Sequence, residues 1–313
     1  MPKLSIIIPC YFNEANIPVT AERLLAAEAL YPEGTEVEYV MVDDGSRDQT
    51  FLELYQFHRR RPRQVRIVKL AGNVGSYSAI LAGMHHAGGD CSAVISADLQ
   101  DPPELLPRMY SLWLEGHKLV IANRAERNDG FLADSFSRLY HYFMRRFAIR
   151  NLPKGGFDVV LFDAQLRKEV VKMNEKNTNT LFLLPFMGFE PVYIPYARQK
   201  RDIGRSRWTL AKKVKLFVDS FTAFSYFPIR LISVMGLILG FAALLYAGAL
   251  VALRVLGMIE VQGWTTLMVV ILFVSSFQMI ATGIVGEYVW RTLDAARNRP
   301  VFVVEKVIEP DSE

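Results

Sequence analysis

Cysteine is nearly absent from this chain. Only Cys10 and Cys91 occur in 313 residues, both in strand-like runs, which excludes a disulfide framework and predicts two reduced core residues in a cytosolic compartment. The five histidines are scattered. With no histidine cluster and no C-x-x-C pair, a zinc site has no ligand set, and His85 and His86, adjacent on a helical stretch, have no partner in sequence. An excess of one charge is also missing: the formal net charge is +4, which gives no reason to expect a nucleic-acid partner. No G-x-x-x-x-G-K-[ST] occurs, and "GNVGSY" does not make G-x-G-x-x-G, so P-loop and dinucleotide-dehydrogenase readings lose their motif. There is no internal repeat or low-complexity tract. The apolar run in "MPKLSIIIPC" is too short for a signal peptide and reads as a strand.

Apolar residues are abundant, at 51% of the chain with a mean hydropathy of +0.17, and the excess is concentrated. Leu231–Leu253 and Val261–Gly286 each run without a charged residue. At about 1.5 Å per residue, each is long enough to cross a hydrocarbon core of roughly 30 Å. Buried core helices are usually shorter and amphipathic, so two membrane spans are expected. The connector Arg254–Glu260 holds one basic residue, and most other Lys and Arg lie before the first span or after the second. The positive-inside rule then predicts both termini in the cytoplasm and the connector outside. The expected organisation is a cytosolic catalytic domain over 1–208, a juxtamembrane amphipathic helix over 209–230, spans over 231–253 and 261–286, and a cytosolic tail over 287–313.

From Leu4 to about Asn123, β-branched runs alternate with helical stretches. "LSIIIPCY", "VEYVMVDDGS", "VRIVKL", "SAVISADL" and "KLVIAN" read as strands; Ala15–Tyr31 and Gln49–Arg60 read as helices. "GGFDVVLFD" and "PVYIPYARQKR" read as two further strands. Continuous apolar strands between helices predict an α/β fold with a mostly parallel sheet covered on both faces. Ligands of such sheets bind beyond the strands' carboxyl ends, and there the polar residues gather: "PCYFNE", "VDDGSRDQT", "SADLQDPPE", "ANRAER". Between Thr209 and Phe227, Leu210, Val214, Phe217, Val218, Phe221 and Phe224 follow helical spacing, with Lys212, Lys213 and Lys215 on other faces. Next to a span, a basic amphipathic helix of this kind suits an anionic headgroup region; packing on the domain as an ordinary surface helix is the alternative.

Paired Asp43 and Asp44 in a strand-to-turn corner can accept hydrogen bonds from a ribose or base, with Gly45 permitting the tight turn. Alone this is ordinary turn chemistry. Together with "GNVGSYSAILAG", "GGFDVVLFD" and "RQKRDIGRSRW", in that order, the corners resemble the family 2 glycosyltransferases. The narrower resemblance is to their polyprenyl-phosphate branch, which includes dolichol-phosphate-mannose-synthase-like and bactoprenol-glucosyltransferase-like enzymes. It covers essentially the whole chain, including the amphipathic segment, the two spans and "GEYVWRTLDAARNRPVFVV".

The resemblance implies a GT-A (Rossmann-like) nucleotide-sugar-binding domain. It also implies inverting transfer of one sugar onto a membrane polyprenyl phosphate such as undecaprenyl phosphate, with UDP favoured as carrier. It implies a bacterial inner-membrane location, contact with membrane lipids, homo-oligomerisation as a tetramer, and a divalent cation, Mg²⁺ or Mn²⁺, offsetting charge on the departing diphosphate. By motif position, Pro9, Tyr11, Asn13, Glu14, Asp43, Asp44, Asn73, Gly75, Ser96 and Asp98 would hold the nucleotide sugar. Asp98 and Gln100 would approach the metal, and Asp158 would be the general base. Arg124, Ser137, Arg138, Arg198, Arg201 and Arg207 would be candidates for the lipid phosphate, Arg124 and Arg201 matching best.

Three positions depart from the family pattern. Ser96 replaces the first Asp of D-A-D-L-Q, which predicts a weaker or differently arranged metal site. Ser76 stands where a Lys is frequent, and Val160 where an Arg is frequent. A processive polysaccharide synthase is disfavoured, because Q-x-x-R-W is missing and the spans are too few for a polymer channel. A degenerate relative that binds without transfer is the non-enzymatic alternative.

Overall fold

The structure, a computed structural model, describes residues 2–98, 100–124, 131–153, 156–173, 175–199, 210–257 and 263–311; of 131–138, 210–213, 264 and 265 it describes the backbone only. The chain divides into two units, Met1–Ala223 with Arg299–Glu313, and Phe224–Asn298.

In chain order the first unit comprises β1 (Lys3–Cys10), α1 (Ile17–Glu28), β2 (Glu36–Asp43), α2 (Thr50–Arg60), β3 (Val65–Leu70), α3 (Ser76–His86), β4 (Cys91–Val94), α4 (Leu105–Leu114), β5 (Leu119–Arg124), α5 (Phe131–Phe147), β6 (Val159–Asp163), α6 (Ala164–Lys172), α7 (Thr180–Phe186), β7 (Val192–Tyr196) and α8 (Leu210–Phe224). After α9 (Phe227–Val255) and α10 (Trp264–Ala296), β8 (Val304–Ile308) returns to the first unit. The eight strands form one sheet in the order β7-β5-β6-β4-β1-β2-β3-β8.

The central strands β4, β1, β2 and β3 pair in parallel. Leu4, Ile6, Ile7 and Ile8 of β1 and Val40, Met41 and Val42 of β2 are all buried. Runs that are apolar on both faces need cover on both, and crossover helices supply it. Glu38, like Asp43 at the strand's end, is a buried charged exception within β2. It is 1% exposed, and it accepts from Ser5 Oγ at 2.7 Å and meets Arg66 at 3.3 Å, so its charge is compensated where it lies.

Two strands run against the others, and the direction of one of them shapes the site. β6 is antiparallel to both β4 and β5, so its amino end lies at the edge where β4 and β5 end. Asp158, one residue before β6, is thereby carried to the carboxyl edge of the parallel strands. The other, β8, pairs antiparallel with β3, with Val68 opposite Val307; it lies in the stretch expected as a tail. Ala71 N continues the contact by donating to Val303 O at 2.9 Å.

The apolar face of α8 is divided. Phe221 and Phe224 are buried, and α5 meets this face through Tyr140 against Phe217 (5.8 Å between ring centroids) and Phe143 against Phe221 (6.4 Å). Val214 and Val218 remain exposed.

In the second unit, α9 and α10 have 29 and 33 residues, roughly 43 and 50 Å at 1.5 Å per residue. Stretches of 18 residues within Phe227–Val255 and Thr266–Ala296 reach mean hydropathies of 2.3 and 2.2, and both helices are long and apolar enough to cross a membrane. Each spans the stretch expected from sequence apart from 261–263, and extends beyond it by several residues at one end or both.

Candidate functional site

At the carboxyl edge the β1 and β2 loops are tied together by backbone donors. Tyr11 N donates to Asn13 Oδ1 at 2.8 Å, Phe12 N to Ser46 Oγ at 3.0 Å and Asn13 N to Thr50 Oγ1 at 2.7 Å. Asp44 N donates to Cys10 O at 2.9 Å. Gly45 has φ +67°, and a Cβ there would come within 2.6 Å of the Gly72 backbone. Only glycine lets the β2 turn lie this close to the loop after β3.

That closeness brings residues 73–75 onto Asp44. Val74 N donates to Oδ1 at 2.7 Å, Gly75 N to Oδ2 at 3.0 Å and Asn73 Nδ2 to Oδ2 at 2.8 Å. Burial nevertheless outweighs these bonds and pushes the Asp44 carboxyl up to about 6, with the charge of Asp43 adding to the rise. Asp43 is fully buried beneath it. Its Oδ1 accepts from Ser46 N at 2.9 Å, and its Oδ2 has no hydrogen-bond partner among the described residues.

The β4 corner is organised around Ser96. Its hydroxyl lies 2.7 Å from Asp98 Oδ1 and 3.0 Å from Asp101 Oδ2, and Gln100 N reaches Asp98 Oδ1 at 3.3 Å. Asp101 is fully buried; its Oδ1 accepts from Tyr196 OH at 2.5 Å. Burial, and then the Asp101 charge, raise the Tyr196 phenol well above its ordinary value, so it stays a donor. Asp101 is thus the buried anchor of the corner.

A second charged group adjoins this corner. Arg124, at the end of β5, is in direct ionic contact with Asp158 and hydrogen-bonds Tyr196. Arg198 lies between two carboxylates, with Nη2 at 3.7 Å from Asp158 Oδ2 and Nε at 3.8 Å from Asp101 Oδ1. Side chains from the ends of β5 and β7 and the start of β6 therefore form one network with the β4 corner.

A cavity of about 510 Å³ opens beside these loops. Of the residues singled out in the sequence, Pro9, Tyr11, Asn13, Asp44, Asn73, Gly75, Ser96 and Asp98 line it. Glu14 is not in its wall; it is exposed and accepts from Gln49 N at 2.9 Å, at the start of α2. Asp43 and Gln100 are not in its wall either, and Arg124, Asp158 and Arg198 form the adjoining cluster. Arg201 and Arg207, and the side chains of Ser137 and Arg138, lie outside the described residues. Sequence reasoning missed Lys176, Asn177 and Thr178, in the loop before α7, and Lys215, Leu216 and Asp219 of α8, all of which line the cavity. No local motif marks them; Lys215, Leu216 and Asp219 are placed by the packing of α8 on α5, and residues 176–178 precede α7, whose Thr180 Oγ1 donates to Tyr77 O at 2.9 Å.

Among the described residues, no group of three or more His, Cys, Asp or Glu is placed to hold a metal ion. The oxygens of Asp98, Ser96 and Gln100 nonetheless suit a hard divalent cation that keeps one or two carboxylate ligands and completes its shell with substrate oxygens.

The model of the family described as glycosyl transferase family 2 matches residues 5–173. A Bacillus subtilis (strain 168) protein named uncharacterized glycosyltransferase YkcC is 32% identical over 303 residues, covering 96% of this chain and 93% of that protein. The undecaprenyl-phosphate 4-deoxy-4-formamido-L-arabinose transferase of Photorhabdus laumondii subsp. laumondii is 29% identical, covering 98% and 94%. The prophage bactoprenol glucosyl transferase homolog of Escherichia coli (strain K12) is 28% identical, covering 97% and 99%.

Proposed function

This chain belongs to glycosyl transferase family 2, and from that premise we propose that it transfers a single sugar from a nucleotide sugar to polyprenyl phosphate at the cytoplasmic face of a bacterial membrane, inverting the anomeric carbon. Relatives aligned over nearly their whole length carry names that specify undecaprenyl-phosphate or bactoprenol transfer, which supports the acceptor. One observation carries the reading: a pair of guanidiniums around one carboxylate, Arg124 and Arg198 at Asp158, adjoins a cavity edged by Asp44 and Asp98, in a chain with two helices suited to crossing a membrane.

The donor lies in the cavity. Asp44 fixes loop 73–75 and, with Pro9, Tyr11 and Asn13, shapes the nucleoside end; Ser96 and Asp98 face the diphosphate and sugar. A divalent cation, Mg²⁺ or Mn²⁺, held by Asp98 and Gln100, would supply positive charge to the departing diphosphate. The acceptor phosphate binds at Arg124 and Arg198, whose forked donors suit phosphate oxygens. In taking these guanidiniums it displaces Asp158 from their contact and leaves that carboxylate beside the attacking oxygen. The phosphate oxygen forms the new bond to the anomeric carbon as the bond to the nucleoside diphosphate breaks. A phosphate monoester has its second pKa near ~6, so the attacking oxygen is largely ionised at neutral pH, and Asp158 accepts the residual proton and orients the nucleophile. Arg201 and Arg207 are kept as further acceptor contacts, with Ser137 and Arg138. The catalytic unit and both termini lie in the cytoplasm, α8 borders the headgroups, and the protein assembles as a homo-oligomer.

The test is transfer of radiolabelled sugar into the organic phase by purified full-length protein. Label should move only when undecaprenyl phosphate is present. Label in a long water-soluble polymer would indicate a processive synthase instead.

A further inference from the structure

Two guanidiniums, Arg124 and Arg198, stand between a buried carboxylate and a partly exposed one. The Asp101 side chain is 0% exposed and that of Asp158 38%, and Arg198 lies 3.8 Å from the first and 3.7 Å from the second. Arg124 is in ionic contact with Asp158. It is linked to Asp101 through Tyr196, whose phenol bonds both. The backbone sets that link. β5 and β7 are parallel neighbours with Arg124 in register with Tyr196, so the two side chains project to the same face from strands about 5 Å apart.

The direction of these bonds follows from what each group can give. A phenol has one proton, and a guanidinium has donors only. Tyr196 gives its proton to Asp101 Oδ1 at 2.5 Å, so its oxygen accepts from Arg124. Bonding to a carboxylate polarises the phenol and makes its oxygen a better acceptor. Tyr196 is buried, and Ser96 holds the other oxygen of Asp101 at 3.0 Å, so this pair is fixed within the domain. Asp158 is the replaceable partner. When the acceptor phosphate displaces it, Arg124 loses one of its restraints, and a long side chain so released regains rotamer freedom. The Tyr196 oxygen is the contact that remains.

We propose that Tyr196, anchored by Asp101, is a positioning residue of the acceptor site: its phenol holds Arg124 in place for the lipid phosphate while Asp158 is displaced. The inference rests on the polyprenyl-phosphate reading above and deepens it. Being buried, Tyr196 acts through Arg124, and its effect disappears when that arginine is removed.

Full-length protein in a neutral detergent would be titrated by calorimetry with undecaprenyl phosphate and, as the uncharged control, undecaprenol. The wild type is expected to bind the phosphate more tightly than the alcohol. Tyr196→Phe should weaken the phosphate by ~10-fold, the loss of one hydrogen bond to a charged group, and leave the alcohol unchanged. In an Arg124→Ala background, adding Tyr196→Phe should cost nothing further, the outcome of a double-mutant cycle when one residue acts through the other. Tyr193→Phe removes a phenol on the same strand that bonds Asn151 O, and it should bind the phosphate as the wild type does. If Tyr196→Phe does not fold, Tyr196→His takes its place in the cycle. Its ring keeps a donor and an acceptor but is too short to reach both partners, so it too should weaken the phosphate only where Arg124 is present. Unchanged phosphate binding would overturn the proposal. So would an equal fall for undecaprenol, or the same fall with and without Arg124. If the wild type binds the phosphate no better than the alcohol, the acceptor reading falls first, and this inference with it.

Discussion

Arg198 Nη2 lies 3.7 Å from Asp158 Oδ2, the two residues adjoining strands that β5 separates in the sheet. β7 delivers the arginine and the reversed β6 delivers the aspartate. The same guanidinium approaches buried Asp101, which holds Ser96, which in turn holds Asp98. The carboxylate of Asp158 is thus joined to that of Asp98 through three side chains.

The two ends of that network should fail differently. Asp158→Asn should lower kcat by about 10²–10⁴, the range of a lost general base, and leave the affinity for nucleoside diphosphate unchanged. Arg198→Ala should instead raise the KM for undecaprenyl phosphate. Steady-state kinetics with each substrate varied separately distinguishes them.

Asp44 should set the acidic limb of donor use. Its carboxyl is raised to about 6; above that pH it is ionised and accepts all three donors of loop 73–75. As pH falls through that value it takes up a proton, and one of those donors is displaced. Donor kcat/KM should therefore decline on acidification through about pH 6, and in Asp44→Asn this limb should vanish while overall activity falls.

Ser96→Ala should destabilise the fold as well as the site. Removing the hydroxyl takes from the fully buried Asp101 Oδ2 the hydrogen bond that Ser96 donates, at a cost of about 1–3 kcal/mol for an unsatisfied buried group. Tyr196→Phe should cost a similar amount from the other carboxylate oxygen. Urea denaturation of the purified variants checks both.

The returning strand β8 should matter to the donor cavity that it does not touch. It covers the edge of β3, and Val303 O bonds Ala71 N just before the loop that Asp44 holds. Val307→Pro removes a backbone donor from the ladder. It should lower thermal stability and weaken nucleoside diphosphate binding together, while the protein still fractionates with membranes.

Much of this was legible from pattern alone. The runs around Ile6–Ile8, Val40–Val42 and Val65–Leu70 could be strands on no other ground than their apolar continuity, and the polar corners that follow them mark the ligand edge. Strand direction was not legible. "DVVLFD" reads the same whether it runs with its neighbours or against them, yet its reversal is what brings Asp158 to Arg124. β8 escaped notice because "VEKVI" is short, half polar and separated from its partner β3 by more than 200 residues. Asp101 was visible, but its burial depends on Tyr196, almost 100 residues away. Lys215 reaches the cavity through the packing of α8 on α5 and Lys176 from the loop before α7, and no local motif records such contacts.

The central claim is transfer of one sugar to a polyprenyl phosphate, and mass spectrometry of the lipid product tests it most directly. Purified protein would be incubated with undecaprenyl phosphate and a panel of UDP-, GDP- and dTDP-sugars, with Mg²⁺, Mn²⁺ or EDTA. The prediction is a lipid heavier by one sugar residue, formed with one donor and with release of an equal amount of its nucleoside diphosphate. Lipid of unchanged mass with every donor, while a catalytically competent relative makes product under the same conditions, would contradict the account and favour a protein that binds without transfer.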